Sequence, residues 1–465
     1  MIILGRATRR FCRYLSTASE SISVFDPTTA NVAGGSYSVL IVHPKVRWGS
    51  FSPSVLKNAD RQLEEAVTLV NTLPYMVAVD SLVVPVDYNT KRKGLWPRGR
   101  TEKLLERREQ VRATALMINV EMLSPMQQEE LYRTFGVPVF DRYNIVMSIF
   151  KAYAKTEEAR LQIALAELPY IRNRLNMITS KRTQSPPSVF HVQQTFADHE
   201  GTDLHESLRK REQELRKRLK ECVEKGEEEC AQTTSGAALV AVVGYTNAGK
   251  TSLVKKLTGA ESLQPQDRLF ATLDTTRHQA RLPSGRSVVF ADTIGFLSDL
   301  PTNLIAAFQA TLSHVKFANV IVHLRDVSHA DWRAQDEDVV ATLKRIGISE
   351  KASVVTVDNK IDKDGAAEIS ETDNDLRVSC ANGEGLEQFI RIIDEKVLEA
   401  TKCKKIKVKL KADSPLIEYL YREKLVNIEP EVDEDSLTFE IYVDEAQLSR
   451  FRAKFNQLKA KNDLS

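Results

Sequence analysis

The chain has 465 residues, a formal charge of +2 and 28 % charged residues, room for about three domains with a core in each. Near-neutrality excludes a uniformly basic nucleic-acid coat, although local basic patches remain open. Five scattered cysteines, Cys12, Cys222, Cys230, Cys380 and Cys403, without a C-x-x-C, argue against a disulfide framework or a zinc site and for a reducing compartment, and no apolar run is long enough to cross a bilayer.

Residues 1–35 form a basic leader and linker. Arg6, Arg9, Arg10 and Arg13 alternate with Ile2, Ile3, Leu4, Phe11, Tyr14 and Leu15, hydroxyls follow, and no acid precedes Glu20. That is the pattern of a mitochondrial targeting peptide, although a disordered basic tail has a similar composition. Residues 36–180 then alternate strand and helix patterns, an α/β layout. Strands are expected at Tyr37 to His43, Met76 to Val86 and Ala113 to Val120, and helices over Val55 to Val70, from Thr101 and from Ser124. Ser124-Pro125 supplies an N-cap followed by proline at the first helical position. Leu161, Leu165, Leu168 and Leu175 lie near one face of a long helix over Thr156 to Ile178.

Residues 181–235 read as a loop around Ser185-Pro-Pro and a charged helix with a thin stripe of Leu204, Leu208, Leu215 and Leu219. The stripe fits half of a helical hairpin. Its charges suit a solvated face, with contact to RNA phosphates as the alternative. Residues 236–401 hold the motif-bearing domain. Residues 402–465 predict a small β-α-β-β-α unit, with helices from Ser414 and Glu445 and strands near Val426 to Val432 and Leu437 to Val443. Its lysine-rich first strand could face nucleic acid or merely keep an edge from pairing.

The chemistry centres on Gly244-Tyr245-Thr246-Asn247-Ala248-Gly249-Lys250-Thr251, after an apolar strand and before a helix that opens with Ser252. Strand, glycine loop and helix make a phosphate-binding loop. Its amides cradle phosphates, Lys250 meets the outer ones, and the Thr251 hydroxyl suits magnesium. The base is read at Asn359-Lys360-Ile361-Asp362, the N-K-x-D pattern. The Asp362 carboxylate can accept from guanine N1 and N2, whereas adenine offers neither donor there. GTP is selected over ATP. Asn359 would brace the loops, the Lys360 stem would cover the base, and Ser379-Cys380-Ala381 would place backbone amides beside the guanine carbonyl.

Between these motifs, Asp292 can hold magnesium through water and the Gly295 amide can sense the terminal phosphate. A switch threonine is expected in Leu269-Phe-Ala-Thr-Leu-Asp-Thr-Thr276. Thr272 is the first choice, with Thr275 or Thr276 as fallback. Phe296 follows Gly295, where many Ras-like proteins carry a glutamine that orients water, so intrinsic hydrolysis should be slow. Asn247 is either a potassium ligand or simply a residue that tolerates a tight loop.

The phosphate loop, Leu269-Phe-Ala-Thr-Leu-Asp274 and Asp292-Thr-Ile-Gly-Phe296 together resemble the HflX family of ribosome-associated GTPases. Leu123-Ser-Pro-Met-Gln127, Val139-Phe-Asp-Arg142 and Leu161-Gln-Ile-Ala-Leu-Ala-Glu-Leu-Pro-Tyr170 are similar to family segments as well. With the leader, the likeness is to the family's mitochondrial animal branch. It implies an N-terminal α/β domain with a helical hairpin, a Ras-like P-loop G domain, and a monomer that binds the large ribosomal subunit and its rRNA in the mitochondrial matrix. Subunit splitting, recycling and late large-subunit maturation would follow, with GTP, Mg2+ and K+ as the ligands considered. Two departures stand out: Thr183 to His199 contains no glycine where the family has a glycine-rich segment, and Asp274-Thr275 lacks the usual proline. A non-catalytic, GTP-gated assembly factor on immature large subunits is the alternative reading. A stand-alone metabolic or RNA-modifying enzyme is disfavoured, since no second catalytic constellation is present.

Overall fold

The computed structural model describes residues 36–46, 59–86, 94–180, 204–233, 237–261, 263, 269–270, 275–297, 315, 317–348, 353–363, 376–412, 414–423, 425–426, 429–433 and 436–462. The leader, the loop around Ser185 and Thr272 lie outside the described residues. The chain divides into two compact units, with a boundary between Glu224 and Lys225.

The first unit carries a parallel sheet of β1 (Tyr37–Val46), β2 (Met76–Val86), β3 (Ala115–Ile118) and β4 (Val139–Asp141) in the order β2-β1-β3-β4. Val39 to Val42 of β1 are wholly buried, as a strand flanked on both sides and covered on both faces requires. Helices α1 (Ala59–Asn71), α2 (Arg98–Gln110), α3 (Pro125–Phe135) and α4 (Arg142–Tyr153) connect or follow these strands. Two expected boundaries move. Helix α2 starts three residues before Thr101, because Pro97 stands in extended backbone at its N-cap and its carbonyl accepts from Arg100 and Thr101. Strand β3 is shorter than Ala113 to Val120, since Arg112 turns through φ 52° just before it.

The three N-terminal sequence segments converge on one buried network. Ser124 and Gln127 form a reciprocal capping box on α3, and Asp141 with Asn144 does the same on α4. Asp141 Oδ2 also accepts from Leu123 N at 3.0 Å. On α5 (Glu157–Ser180), the buried Arg174 donates to Gln128 Oε1 at 2.9 Å, lies 3.8 Å from Asp141 and stacks 3.3 Å over the Tyr170 ring. Tyr170 in turn stacks on Tyr143 and accepts from Asn144. These segments therefore fix helix starts and helix packing. Helix α6 (Leu204–Thr233) is tied to α5 by Arg172–Glu212 at 2.8 Å and Arg218–Glu157 at 2.6 Å, with Leu208 and Leu215 buried, so the charged helix does form half of a hairpin.

The second unit holds two sheets. The larger has β5 (Ala238–Gly244), β6 (Thr276–Arg281), β7 (Ser287–Asp292), β8 (Val320–Asp326) and β9 (Ser353–Asn359) in the order β6-β7-β5-β8-β9. All pairs are parallel except the β6–β7 hairpin. Helices α7 (Lys250–Thr258), α8 (Trp332–Ile346) and α9 (Leu386–Ala400) accompany it. Leu253, Val254, Phe389, Ile393 and Val397 close its core with the strand valines. The turn of the β6–β7 hairpin is anchored. Ser284 N and Oγ donate to the two oxygens of Asp394 on α9 at 2.7 and 2.5 Å.

The smaller sheet runs β10 (Lys404–Lys411), β12 (Ser436–Val443), β11 (Glu431–Asp433), all antiparallel, with α10 (Pro415–Arg422) and α11 (Glu445–Asn462). The strand expected from Val426 is reduced to β11 because Pro430, which has no N–H to donate to a ladder, directly precedes it. On the edge strand β10, Lys405 and Lys407 bond Glu440 at 2.7 and 2.8 Å and Lys409 bonds Asp433 at 3.0 Å. Cross-strand acids thus neutralise most of the basic face, in line with the edge-protection reading. Arg286, in the β6–β7 turn, donates to Gln447 at 3.0 Å and lies 3.7 Å from Asp444, joining this small domain to the larger sheet.

Candidate nucleotide site

A doubly wound sheet offers its binding crevice beyond the carboxyl ends of its strands, where neighbours run in opposite directions from the first strand. Here β5 lies between β7 and β8, and its carboxyl end is Gly244. The loop from Gly244 leads straight into α7, so the amides at the helix start face the same crevice. Asn247 stands at φ 62° and is exposed at the crest of the loop. At Gly249 the backbone has φ +97°, and a Cβ would fall 2.3 Å from Asn359 Nδ2. Only glycine allows that approach.

Asn359, at the end of β9, is the brace of the site. Its Nδ2 donates to Ala248 O at 2.8 Å, and its Oδ1 accepts from Cys380 N at 3.1 Å. One buried amide thus joins the phosphate loop, the N-K-x-D turn and the Ser379–Ala381 loop. Asp362 Oδ1 accepts from Ser379 Oγ at 2.6 Å, and Ser379 Oγ accepts from the amides of Ala381 and Asn382 at 3.2 and 3.3 Å. The carboxylate is therefore oriented before any base arrives. Lys360 pairs with Asp326, at the end of β8, at 2.6 Å. Burial pushes the Cys380 thiol up to about 12, so it remains an unreactive thiol.

On the phosphate side, Thr251 Oγ1 donates to Asp292 Oδ2 at 2.7 Å, and Asp292 is wholly buried. An all-oxygen pair of hydroxyl and buried carboxylate suits a small hard cation such as magnesium. Neighbouring Thr293 is also buried and donates to Val242 O at 2.7 Å, pinning the end of β7 to β5. Of the fallback switch threonines, Thr276 contacts His278 Nε2 at 3.1 Å, while the Thr275 hydroxyl is buried with no hydrogen-bond partner among the described residues. The Phe296 side chain is buried at 3 % exposure, packed rather than presented to solvent.

Lys250 Nζ donates to Tyr245 O at 2.7 Å and Gly244 O at 3.3 Å. Burial lowers its pKa to about 8, with Asp292 opposing the shift. Phosphates beside it would raise that pKa, so binding above pH 8 is coupled to proton uptake. Affinity should be full below pH 8 and fall as pH rises past it. Between pH 7 and 8.5 the dissociation constant of GTP should rise about fourfold by this linkage. A titration series over that interval, flat with pH, would reject the coupling.

Sequence reasoning did not find the charged cluster beneath the base site. Arg325 on β8 bonds Asp358 on β9 through Nε and Nη2 at 2.7 and 2.6 Å, lies 3.6 Å from Asp336, and sits 5.0 Å over Trp332. Asp358 is wholly buried. His323, lowered to about 4 by burial and then by Arg325, is neutral at physiological pH, so its 3.5 Å contact with Asp336 is no ion pair. The pairing was hidden because it needs β8 and β9 as neighbours, which no local pattern states.

A mostly parallel sheet with a phosphate loop after its central strand and an N-K-x-D carboxylate just beyond the end of β9 defines a guanine-nucleotide-binding P-loop GTPase. Residues 239–360 match the family described as 50S ribosome-binding GTPase, and residues 60–151 match the family described as GTP-binding GTPase N-terminal. GTP-binding protein 6 of Xenopus laevis is 36 % identical over 422 residues, covering 89 % of this chain and 79 % of that protein. The Homo sapiens protein of that name is 35 % identical over 435 residues, covering 90 % and 82 %. GTPase HflX of Lacrimispora saccharolytica is 32 % identical over 350 residues, covering 73 % and 79 %. The chain belongs to the HflX family of GTPases.

Proposed function

We propose that this GTPase acts in the mitochondrial matrix, docking on the large ribosomal subunit and its rRNA in the GTP form to separate subunits for recycling and to assist late large-subunit maturation. The observation that carries the reading is one coincidence: the phosphate loop, Asp292 and Asn359-Lys360 all lie in the segment that matches 50S ribosome-binding GTPases. The arginine-rich leader supports an organellar address, as does a similar protein of Arabidopsis thaliana described as chloroplastic. Among the described residues no helix is long and apolar enough to cross a membrane.

In this reading Gly244 to Ser252 hold the phosphates, and Thr251 and Asp292 hold magnesium with Thr272. Lys250 and the Gly295 amide face the terminal phosphoryl oxygens. Asn359, Lys360, Asp362, Ser379, Cys380 and Ala381 form the guanine pocket. A bound magnesium ion would neutralise charge on the outer phosphates. With Phe296 buried, no side chain at that position orients water, and the ribosome completes the site. Asn247 is the residue to ligate potassium, and an equal hydrolysis rate in sodium and potassium salts would remove it from that role.

Purified protein mixed with intact mitochondrial ribosomes and a non-hydrolysable GTP analogue should yield free subunits on sedimentation. Association with immature large particles alone would favour a GTP-gated assembly factor. Intact ribosomes with no bound protein would refute ribosome action.

A further inference from the structure

The segment after Asp292 is stitched onto the phosphate loop. Phe296 N–H donates to Gly244 O at 3.1 Å and Phe296 O accepts from Thr246 N–H at 2.7 Å, a parallel bridge opposite Tyr245. Gly295 is drawn so close that a Cβ on it would lie 2.8 Å from Thr246 Cα and Cγ2 and 3.0 Å from Lys250 Nζ. A terminal phosphate held between Lys250 Nζ and the Gly295 amide needs two hydrogen bonds of about 2.9 Å in series. The closed bridge crowds that space, since even a Cβ on Gly295 would meet Lys250 Nζ at 3.0 Å.

Beside Gly295 in this bridge is the side chain of Thr246. The residue is 6 % exposed, and its hydroxyl is buried with no hydrogen-bond partner among the described residues. An unpaired buried hydroxyl is destabilising, so the closed arrangement is penalised at this one atom. A partner that both opens the bridge and offers an acceptor removes the penalty. The terminal phosphate of GTP is such a partner by chemistry and by place, since Thr246 is two residues from Gly244 and packs against the glycine assigned to that phosphate.

We propose that Thr246 is the residue by which this chain tells GTP from GDP: its hydroxyl, stored without a partner beside Gly295, bonds the terminal phosphate once the Phe296 bridge opens. The proposal rests on the nucleotide site described above and adds its selectivity and its gate. A diphosphate ends short of the bridge and leaves both backbone bonds intact. A triphosphate breaks them and gains the Lys250 ammonium, the Gly295 amide and the Thr246 hydroxyl. GTP thus carries an opening cost that GDP does not, and the hydroxyl helps to offset it.

Thr246→Val keeps the side-chain shape and deletes the hydroxyl. It relieves the closed form and removes a charge-assisted hydrogen bond from the open one, both of which disfavour GTP. The ratio of affinities for a non-hydrolysable GTP analogue and GDP should fall about tenfold or more, while Thr246→Ser should keep the ratio within about twofold of the unsubstituted chain. A valine variant with an unaltered ratio overturns the proposal. Independently, Phe296→Trp reports the bridge: its emission, corrected for Trp48, Trp96 and Trp332, should shift to the red with the GTP analogue and not with GDP. Identical emission with both nucleotides overturns the gate even if the valine variant fails to fold. Failure of the unsubstituted chain to bind either nucleotide would strike the site itself, whereas normal binding with an unaltered ratio strikes only Thr246.

Discussion

Asp362→Asn should turn the protein from a GTP binder into one that prefers xanthosine triphosphate. The carboxylate offers acceptors to both guanine N1–H and N2–H, and Ser379 Oγ holds it in place at 2.6 Å. An asparagine keeps the shape but turns one acceptor into a donor, which then faces the guanine amino group. Loss of a charge-assisted pair and the appearance of a donor–donor clash should weaken GTP about a hundredfold. Xanthine has a carbonyl at that position and accepts from the new amide. Competition binding with the two triphosphates measures the swap, and a variant that still prefers GTP would mean that Asp362 does not read the base.

The second large effect is on stability. Arg325→Leu strips the cation from Asp358, which is wholly buried, and leaves a carboxylate in the sheet with no counter-charge. Breaking a buried pair on one side costs about 3–5 kcal/mol, whereas replacing both members by apolar residues is often close to neutral. The single variant should therefore melt roughly 10 °C lower, and the Arg325→Leu, Asp358→Val double variant should regain most of the loss. A double variant no more stable than the single one would show that the pair does not carry this coupling. Because Asp358 directly precedes Asn359, guanine binding should fail in the single variant before global unfolding does.

The parts of the site written contiguously were legible without coordinates. The phosphate loop, Asp292 to Gly295 and Asn359 to Asp362 each carry their chemistry within a few residues and follow a recognisable strand, and all three meet at one end of the large sheet. The α/β class was legible for a similar reason, since strand and helix periods alternate cleanly. What stayed hidden depends on which strands are neighbours. The Arg325–Asp358 pair and the Lys360–Asp326 pair both require β8 beside β9. The Phe296 bridge joins residues 51 positions apart, and nothing in Phe296 itself, read only as a missing glutamine, says that its backbone is bonded to the loop. The N-terminal segments were visible as a family signature but silent on cause. Arg174 and Tyr170 lie on one helix and Gln128, Asp141 and Tyr143 on other elements, so their common role needed the packing.

Strand β6 begins at Thr276, the last residue of the segment expected to hold the switch threonine, and β7 ends in Asp292, proposed to hold magnesium, so both positions fall at one end of the hairpin. Its other end is clamped twice: Ser284 to Asp394 on α9, and Arg286 to Gln447 and Asp444 of the small domain. A ribbon clamped at its turn cannot slide along its neighbour to a new register without breaking a buried carboxylate's bonds. Motion set off at the phosphates should therefore bend the ribbon near Thr276 rather than slide it, because Thr293 also pins the end of β7 to β5 while the small domain holds the turn.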